Sequence, residues 1–185
     1  MPSVNKPMDS GAIDVRRLGP ADVAQYRSLR LASLREHPYA HGPDYREAMA
    51  QDEAWHARRL ARQDYTWFGA FDNALEAPSL VGAICLRAKE GSRLHHTASL
   101  NSLMVASSHQ RAGIGRLLVA HLIEHARGCA HLRRLTLSLI DGNAPALRLY
   151  ERAGFTQFGF EPDAIFHEGG YRAQRHLHLS LIAPE

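Results

Sequence analysis

Lysine is nearly absent from this 185-residue chain: Lys6 and Lys89 are the only two, so arginine supplies almost all of its 22 basic side chains. Those arginines are scattered along the chain and form no basic block, the pattern of a solvated surface laced with ion pairs, and nucleic acid is not an expected partner. Cysteine is equally scarce. Cys85 and Cys129 stand far apart with no CxxC spacing, so they read as small buried hydrophobes and not as a disulfide or a zinc site. The twelve histidines include no HExxH or similar spacing, and no metal ligand is expected. No apolar run of 18 residues is present to cross a membrane as a helix. Met1–Ala12 also lacks the apolar core of a secretory signal, so the expected location is the cytoplasm. A hydrophobic content of 45% excludes a wholly disordered chain, and the length favours one domain with its own core.

Polar, proline-bearing Met1–Gly11 reads as a disordered leader, and residues 12–185 as the domain. Ile13–Arg16 alternates as a strand, and Gly19-Pro20 breaks it. Val23, Tyr26, Leu29 and Leu34 predict a helix over Ala21–Glu36, stopped at His37-Pro38. A second helical region is expected over Tyr45–Arg62, with Trp55 and Leu60 on its inner face. Thr66–Phe71, Leu80–Arg87 and His96–Val105 then read as three strands of an antiparallel meander. A helix over Ile114–Arg127, a strand over Leu135–Leu139 and a helix over Ala144–Ala153 follow. Gly154 suits the cap of the last helix. Phe155–Phe160 and His176–Ile182 complete the pattern as strands joined by a link, Glu161–Arg175. The expected fold is α/β of the α+β type: a mixed, mainly antiparallel sheet of about seven strands flanked by about four helices.

The segment between the third meander strand and the long helix carries the chemistry. Gly113 and Gly115 let main-chain N–H groups approach a ligand with no Cβ in the way. The helix start leaves N–H donors unpaired at the positive end of its dipole, and Arg111 and Arg116 add full charge; a pyrophosphate suits such a site. Read alone, the two glycines are equally compatible with a tight strand-to-helix turn. A Walker loop needs GxxxxGK[ST] and a Rossmann fingerprint needs a third glycine within an early βαβ unit; neither is present. That leaves a phosphate-bearing cofactor held by backbone amides and arginine.

Gln110-Arg111-Ala112-Gly113-Ile114-Gly115 resembles the Q/R-x-x-G-x-G/A signature of the GNAT superfamily of acetyl-CoA-dependent N-acetyltransferases. Asn143-Ala144-Pro145-Ala146-Leu147-Arg148-Leu149-Tyr150, continued by Glu151–Phe155, resembles its N-x-x-A-x-x-x-Y-x-x-x-G-F element. The stretch Arg30–Gly42 is similar to a subgroup of the family that has an aromatic where His41 stands. The resemblance implies direct attack of an amine on acetyl-CoA, without an acyl-enzyme. It implies a slot opened by the strand before the loop, where the main chain of Leu103, Met104 and Val105 holds the pantetheine. The phosphates would meet Gln110, Arg111, Ala112, Gly113, Ile114, Gly115 and Arg116, with Asn143, Ala146 and Tyr150 also lining the cofactor. Asn143 is at the same time a plain helix N-cap candidate. Tyr150 is the candidate acid for the leaving thiolate, since a phenol of pKa ~10 stays protonated at neutral pH; the other reading is a core tyrosine. Family members are often dimers, so a homodimer is carried as an expectation.

The sequence departs from its relatives at the base. Many relatives carry a glutamate on the strand before the loop, whereas Ser99-Leu100-Asn101-Ser102 has no carboxylate. Asn101 and Ser99 are candidates to position a water, and His95, His96 and Asp141 are candidate proton acceptors. The missing carboxylate also motivates a second reading, a CoA-binding sensor or interaction module of reduced activity. Acceptor specificity is expected from Tyr39, His41, Tyr45, Glu161, Asp163, Phe166 and Glu168, whose acidic members suit a cationic amine.

Overall fold

Residues 13–38, 44–74, 77–167 and 169–182 are described in a computed structural model of the chain. The leader expected over residues 1–11 lies outside them, as do Tyr39, His41 and Glu168. Seven strands, β1 (Ile13–Arg17), β2 (Tyr65–Asp72), β3 (Ser79–Ala88), β4 (Thr97–Val105), β5 (Arg134–Ile140), β6 (Thr156–His167) and β7 (Gly170–Ser180), form one sheet in the order β1-β2-β3-β4-β5-β7-β6. All neighbours are antiparallel except β4 and β5. The helices are α1 (Val23–Glu36), α2 (Tyr45–Met49), α3 (Glu53–Ala61), α4 (Ile114–Gly128) and α5 (Ala144–Arg152). This is the mixed, mainly antiparallel α/β architecture that the residue pattern predicts.

The central strands are apolar on both faces because both are covered. Phe68, Ala70, Ile84 and Leu86 pack with Leu118, Leu122 and Ala126 of α4. Their alternates Trp67, Phe71, Ala83 and Cys85 pack with Tyr26 and Leu29 of α1 and Leu60 of α3. One contact sets where α4 begins. A Cβ on Gly82 of β3 would lie 2.9 Å from Ile114 Cγ2 and 2.9 Å from Leu118 Cδ1, so only glycine lets the first turns of α4 rest directly on the strand.

Two expectations are corrected. The helical region over Tyr45–Arg62 is two helices, which makes five among the described residues. Asp52 interrupts it by accepting a hydrogen bond from the Trp55 N–H at 2.7 Å, starting a new helix instead of extending the old one. The link Glu161–Arg175 is almost entirely strand, since β6 and β7 continue to a turn at Gly169. Pro162 and Asp163 look like turn residues, but they occupy a register shift of β6 between Glu161 and Ile165, with Asp163 at φ 51°. An edge strand tolerates such a bulge, and its proline has no ladder bond to lose.

His56 on α3 is fully buried, with the Ala48 backbone beside its ring. Burial, with the nearby Arg30, Arg27 and Arg59, pushes its pKa down to about 4 from 6.5. The folded protein therefore holds the ring neutral at pH values where the unfolded chain protonates it. Its contribution to stability is complete above the unfolded pKa and declines as pH falls from about 6.5 towards about 4. Urea unfolding of wild type and His56→Leu at pH 7.5 and pH 5.5 tests this: wild type loses more stability than the variant across that interval. Equal losses overturn the assignment.

Candidate active site

The site originates in a parting of strands. β4 pairs with β5 only at Thr97–Arg134, Ala98–Leu135 and Ser99–Thr136. Beyond Ser99, β5 keeps pairing with β7 as far as Ile140–Gln174. β4 stays with β3 through a register shift, with Ser102 in the left-handed region at φ 54°. The two strands thus diverge and open a cleft of about 950 Å³, lined by Leu103, Met104 and Val105 on one side and Thr136 to Leu139 on the other. Main-chain groups of β4 that face β5 have no ladder partner there and remain available to a ligand.

At the wide end of the cleft the chain turns into α4. Gly113 is its N-cap, at φ 86°, and a glycine has no side chain with which to cap. Among the described residues, the N–H groups of residues 111 to 116 donate to no protein acceptor. Arg111 also adopts a left-handed φ of 63°, a conformation that costs a non-glycine residue about 1 kcal/mol. Free amides, the helix dipole and an arginine therefore converge, a cradle suited to an anion. Gln110, Arg111, Gly113, Ile114 and Gly115 line the cleft, whereas Ala112 and Arg116 lie outside its lining. The Gln110 side chain contacts His37 Nε2 at 2.9 Å, and Ser107 donates to Glu36, so the loop is tied to the end of α1. These long-range ties left no signal in the sequence.

Asn143, Ala146 and Tyr150 reach the cleft from α5. Asn143 accepts the Ala146 N–H at 3.2 Å, so it caps α5 while lining the site. Tyr150 is only 6% exposed. Its ring packs on Phe155 at 5.8 Å between centroids, and its hydroxyl has no hydrogen-bond partner among the described residues. Burial holds the phenol above its ordinary pKa, so it stays protonated. Ser99 and Asn101 line the cleft and bond to each other, Asn101 Nδ2 to Ser99 Oγ at 3.0 Å. His95, His96 and Asp141 do not line it; Asp141 is held by Arg175 Nε at 2.6 Å. Cys85 is buried in β3, its thiol pushed up to about 12 by burial, and Cys129 follows α4 away from the cleft.

The lining holds a further feature. Among the described residues it contains no Asp or Glu, while Arg30, Arg59, Arg87, Lys89 and Arg111 all contribute. Tyr45, Glu161, Asp163 and Phe166, expected as acceptor walls, are not part of it. The arginines were missed by sequence reasoning, although one signal existed: Arg30 falls four residues after Tyr26 and four before Leu34, on the buried stripe of α1.

The family model described as acetyltransferase (GNAT) family matches residues 27–155. Streptothricin acetyltransferase from Streptomyces lavendulae is 32% identical over 88 residues, 46% of this chain and 44% of that protein. The chain spans less than half the length of that curated relative. A GNAT-family acetyltransferase structure from Streptococcus pneumoniae has a TM-score of 0.80 at 22% identity, covering 91% of this chain and 99% of that one. The structure of yncA from Salmonella typhimurium, solved with its cofactor acetyl-CoA, has a TM-score of 0.74 at 22% identity, covering 94% and 98%.

The two loop glycines respond differently to a methyl group. Gly113→Ala places alanine at a left-handed φ and destabilises the protein by about 1 kcal/mol or more. A Cβ at Gly115 meets Leu149 Cδ2 at 3.5 Å and Val105 Cγ2 at 3.9 Å, ordinary contacts, and in a helix alanine is favoured over glycine. Gly115→Ala is therefore neutral or mildly stabilising. Denaturant midpoints of the two variants check this; equal destabilisation would contradict the roles assigned to the two positions.

Proposed function

The chain belongs to the acetyltransferase (GNAT) family, and from that premise we propose that it moves an acetyl group from acetyl-CoA to a primary amine by direct attack in a ternary complex. The observation that carries the reading is the uncapped start of α4 at the mouth of the strand divergence. A diphosphate would accept hydrogen bonds from the amides of Gly113, Ile114 and Gly115 and meet Arg111. The pantetheine arm would follow the unpaired edge of Leu103, Met104 and Val105, adding hydrogen bonds as a further strand does. The fit is supported by the glycine cradle and by the absence, among the described residues, of any protein acceptor on those amides.

Chemically, a neutral amine nitrogen attacks the thioester carbon; the C–N bond forms, the C–S bond breaks, and the sulfur leaves as a thiolate. Tyr150 donates a hydrogen bond and then its proton to that sulfur. The attacking nitrogen sheds a proton to solvent, which Ser99 and Asn101 are placed to order, and the phenol is reprotonated from water. Acetyl-amine and free CoA thiol are the products. A phenol held protonated by burial serves this step across the whole physiological range. No cysteine lines the cleft, in keeping with transfer that forms no acyl-enzyme. Two free thiols suit a cytoplasmic location. The exposed Phe158, Phe160, Phe166 and Tyr171 of β6 and β7 are the surface that a homodimer would cover.

Acetyl-CoA raises the unfolding temperature in proportion to the logarithm of its concentration above Kd. Tyr150→Phe lowers turnover by about a hundredfold and leaves the calorimetric Kd for acetyl-CoA within about threefold. Absence of acetyl-CoA binding overturns the reading. Binding with no thiol release from any amine would favour the sensor alternative, which the carboxylate-free lining motivates.

A further inference from the structure

Arg30 and Arg59 are cations with no carboxylate paired to them among the described residues. Arg30, on α1, is 3% exposed and lines the cleft. Arg59, on α3, lines it too, and its guanidinium lies 5.6, 5.4 and 5.4 Å from the ring centroids of Trp55, Tyr65 and Trp67. The Nε of each arginine has no hydrogen-bond partner, and neither forms an ion pair with a described carboxylate. By contrast Arg87, nearby in the lining, has Asp64 at 3.7 Å. Trp67 Nε1, on a ring packed 4.9 Å from that of Tyr26 between centroids, is likewise unpartnered, and the Tyr26 hydroxyl, a neutral group, is what stands beside the two guanidiniums. Holding one buried and one half-buried guanidinium without a counter-charge is costly. Aromatic faces hold Arg59 in place, with its Nε unpaired. The arrangement is a set of cationic donors with no anion among the described residues to meet them.

The phosphates of acetyl-CoA are not that acceptor. Their cradle is at Gln110–Gly115, tied to α1 through Glu36 and His37. Arg30 lies two turns before His37, about 10 Å along the helix axis. An anion received by Arg30 and Arg59 would therefore belong to the second substrate.

Resting on the acetyl-transfer reading, we propose that the acceptor is a primary amine that also carries an oxyanion, a carboxylate or a group of the same charge and shape, held by Arg30 and Arg59. Guanidinium matches an oxyanion in a two-pronged contact. A cluster of positive charge also disfavours a second cation, so it lowers the pKa of the bound ammonium and supplies the neutral amine that attack requires. A cleft with no carboxylate in its described lining needs that help. The same field repels a polyamine.

The test is thiol release from acetyl-CoA with the standard amino acids, their carboxamides and spermidine, together with calorimetric Kd for acetyl-CoA. In at least one acid–amide pair, kcat/KM for the acid exceeds that for the amide by roughly tenfold to a hundredfold, and spermidine is poorer than the acid. Arg30→Gln and Arg59→Gln each collapse that ratio to below about threefold by raising KM for the acid, with the Kd for acetyl-CoA little changed. Two variants are used because either arginine also packs in the core. Amides or spermidine turned over as well as the acids, a ratio that survives both substitutions, turnover of none of the acids, or a loss confined to acetyl-CoA affinity would each overturn the proposal. If acetyl-CoA does not bind wild type at all, it is the acetyl-transfer reading that fails.

Discussion

The parting of β4 from β5 after three parallel pairs is the constraint on which the rest of the molecule depends. Inside a sheet, unpaired N–H and C=O groups are costly unless something else bonds them. Here the cost is imposed by two stronger commitments. β5 is held along its whole length by β7, and β4 is held to β3 through a register shift at Ser102. Neither strand can swing to close the gap without breaking a ladder. The opening is thus a permanent feature of the sheet, and a bound chain that supplies the missing hydrogen bonds finds its site already formed.

Charge gives the opening its direction. At one end, free amides and Arg111 collect at the start of α4. Elsewhere in the lining stand buried Arg30 and half-buried Arg59, with no carboxylate paired to them among the described residues. Tyr150 lines the same cleft, and burial keeps its phenol protonated. On the proposed reading, such a cleft would receive a long anionic substrate at the cradle and a short one at the arginines. Neighbouring positive charge would then do by field effect part of what a glutamate base does by accepting the proton.

Much of this was legible in residue order. Alternation located β1, aromatic and apolar runs between turn residues located β2 to β5 and parts of β6 and β7, helical spacing located α1 and α4, and Gln110–Gly115 with Asn143–Phe155 marked the loop and the tyrosine. What escaped has physical causes. Asp52 reads as one more polar residue in a charged helical stretch, yet its carboxylate competes for the Trp55 amide and splits the helix. Pro162 and Asp163 carry turn chemistry that an edge-strand bulge uses equally well. The arginines of the cleft lining escaped because a local scan finds acidic residues in Glu161–Arg175, while the lining draws on α1, α3 and β3, far apart in the chain. Burial separates these charges: Glu161 is exposed beside His176, whereas Arg30 is buried with no carboxylate paired to it among the described residues.

α1 connects the two halves of the site. Its last residue and the next, Glu36 and His37, contact Ser107 and Gln110 of the loop, and two turns earlier the same helix presents Arg30 to the cleft. The helix is anchored along that length by Tyr26, Leu29 and Leu34, all buried, so its two contacts are fixed relative to each other. A hydrogen-bonded helix of this kind is stiff along its axis. The separation between the loop before α4 and Arg30 is therefore set by helix geometry and not by loop conformation. On the proposed reading, a thioester anchored at the loop and an acceptor anchored at Arg30 would thus be held at a fixed spacing. Orientation of the attacking nitrogen would then follow from two rigid attachments, the arrangement in which holding reactants together contributes most to rate.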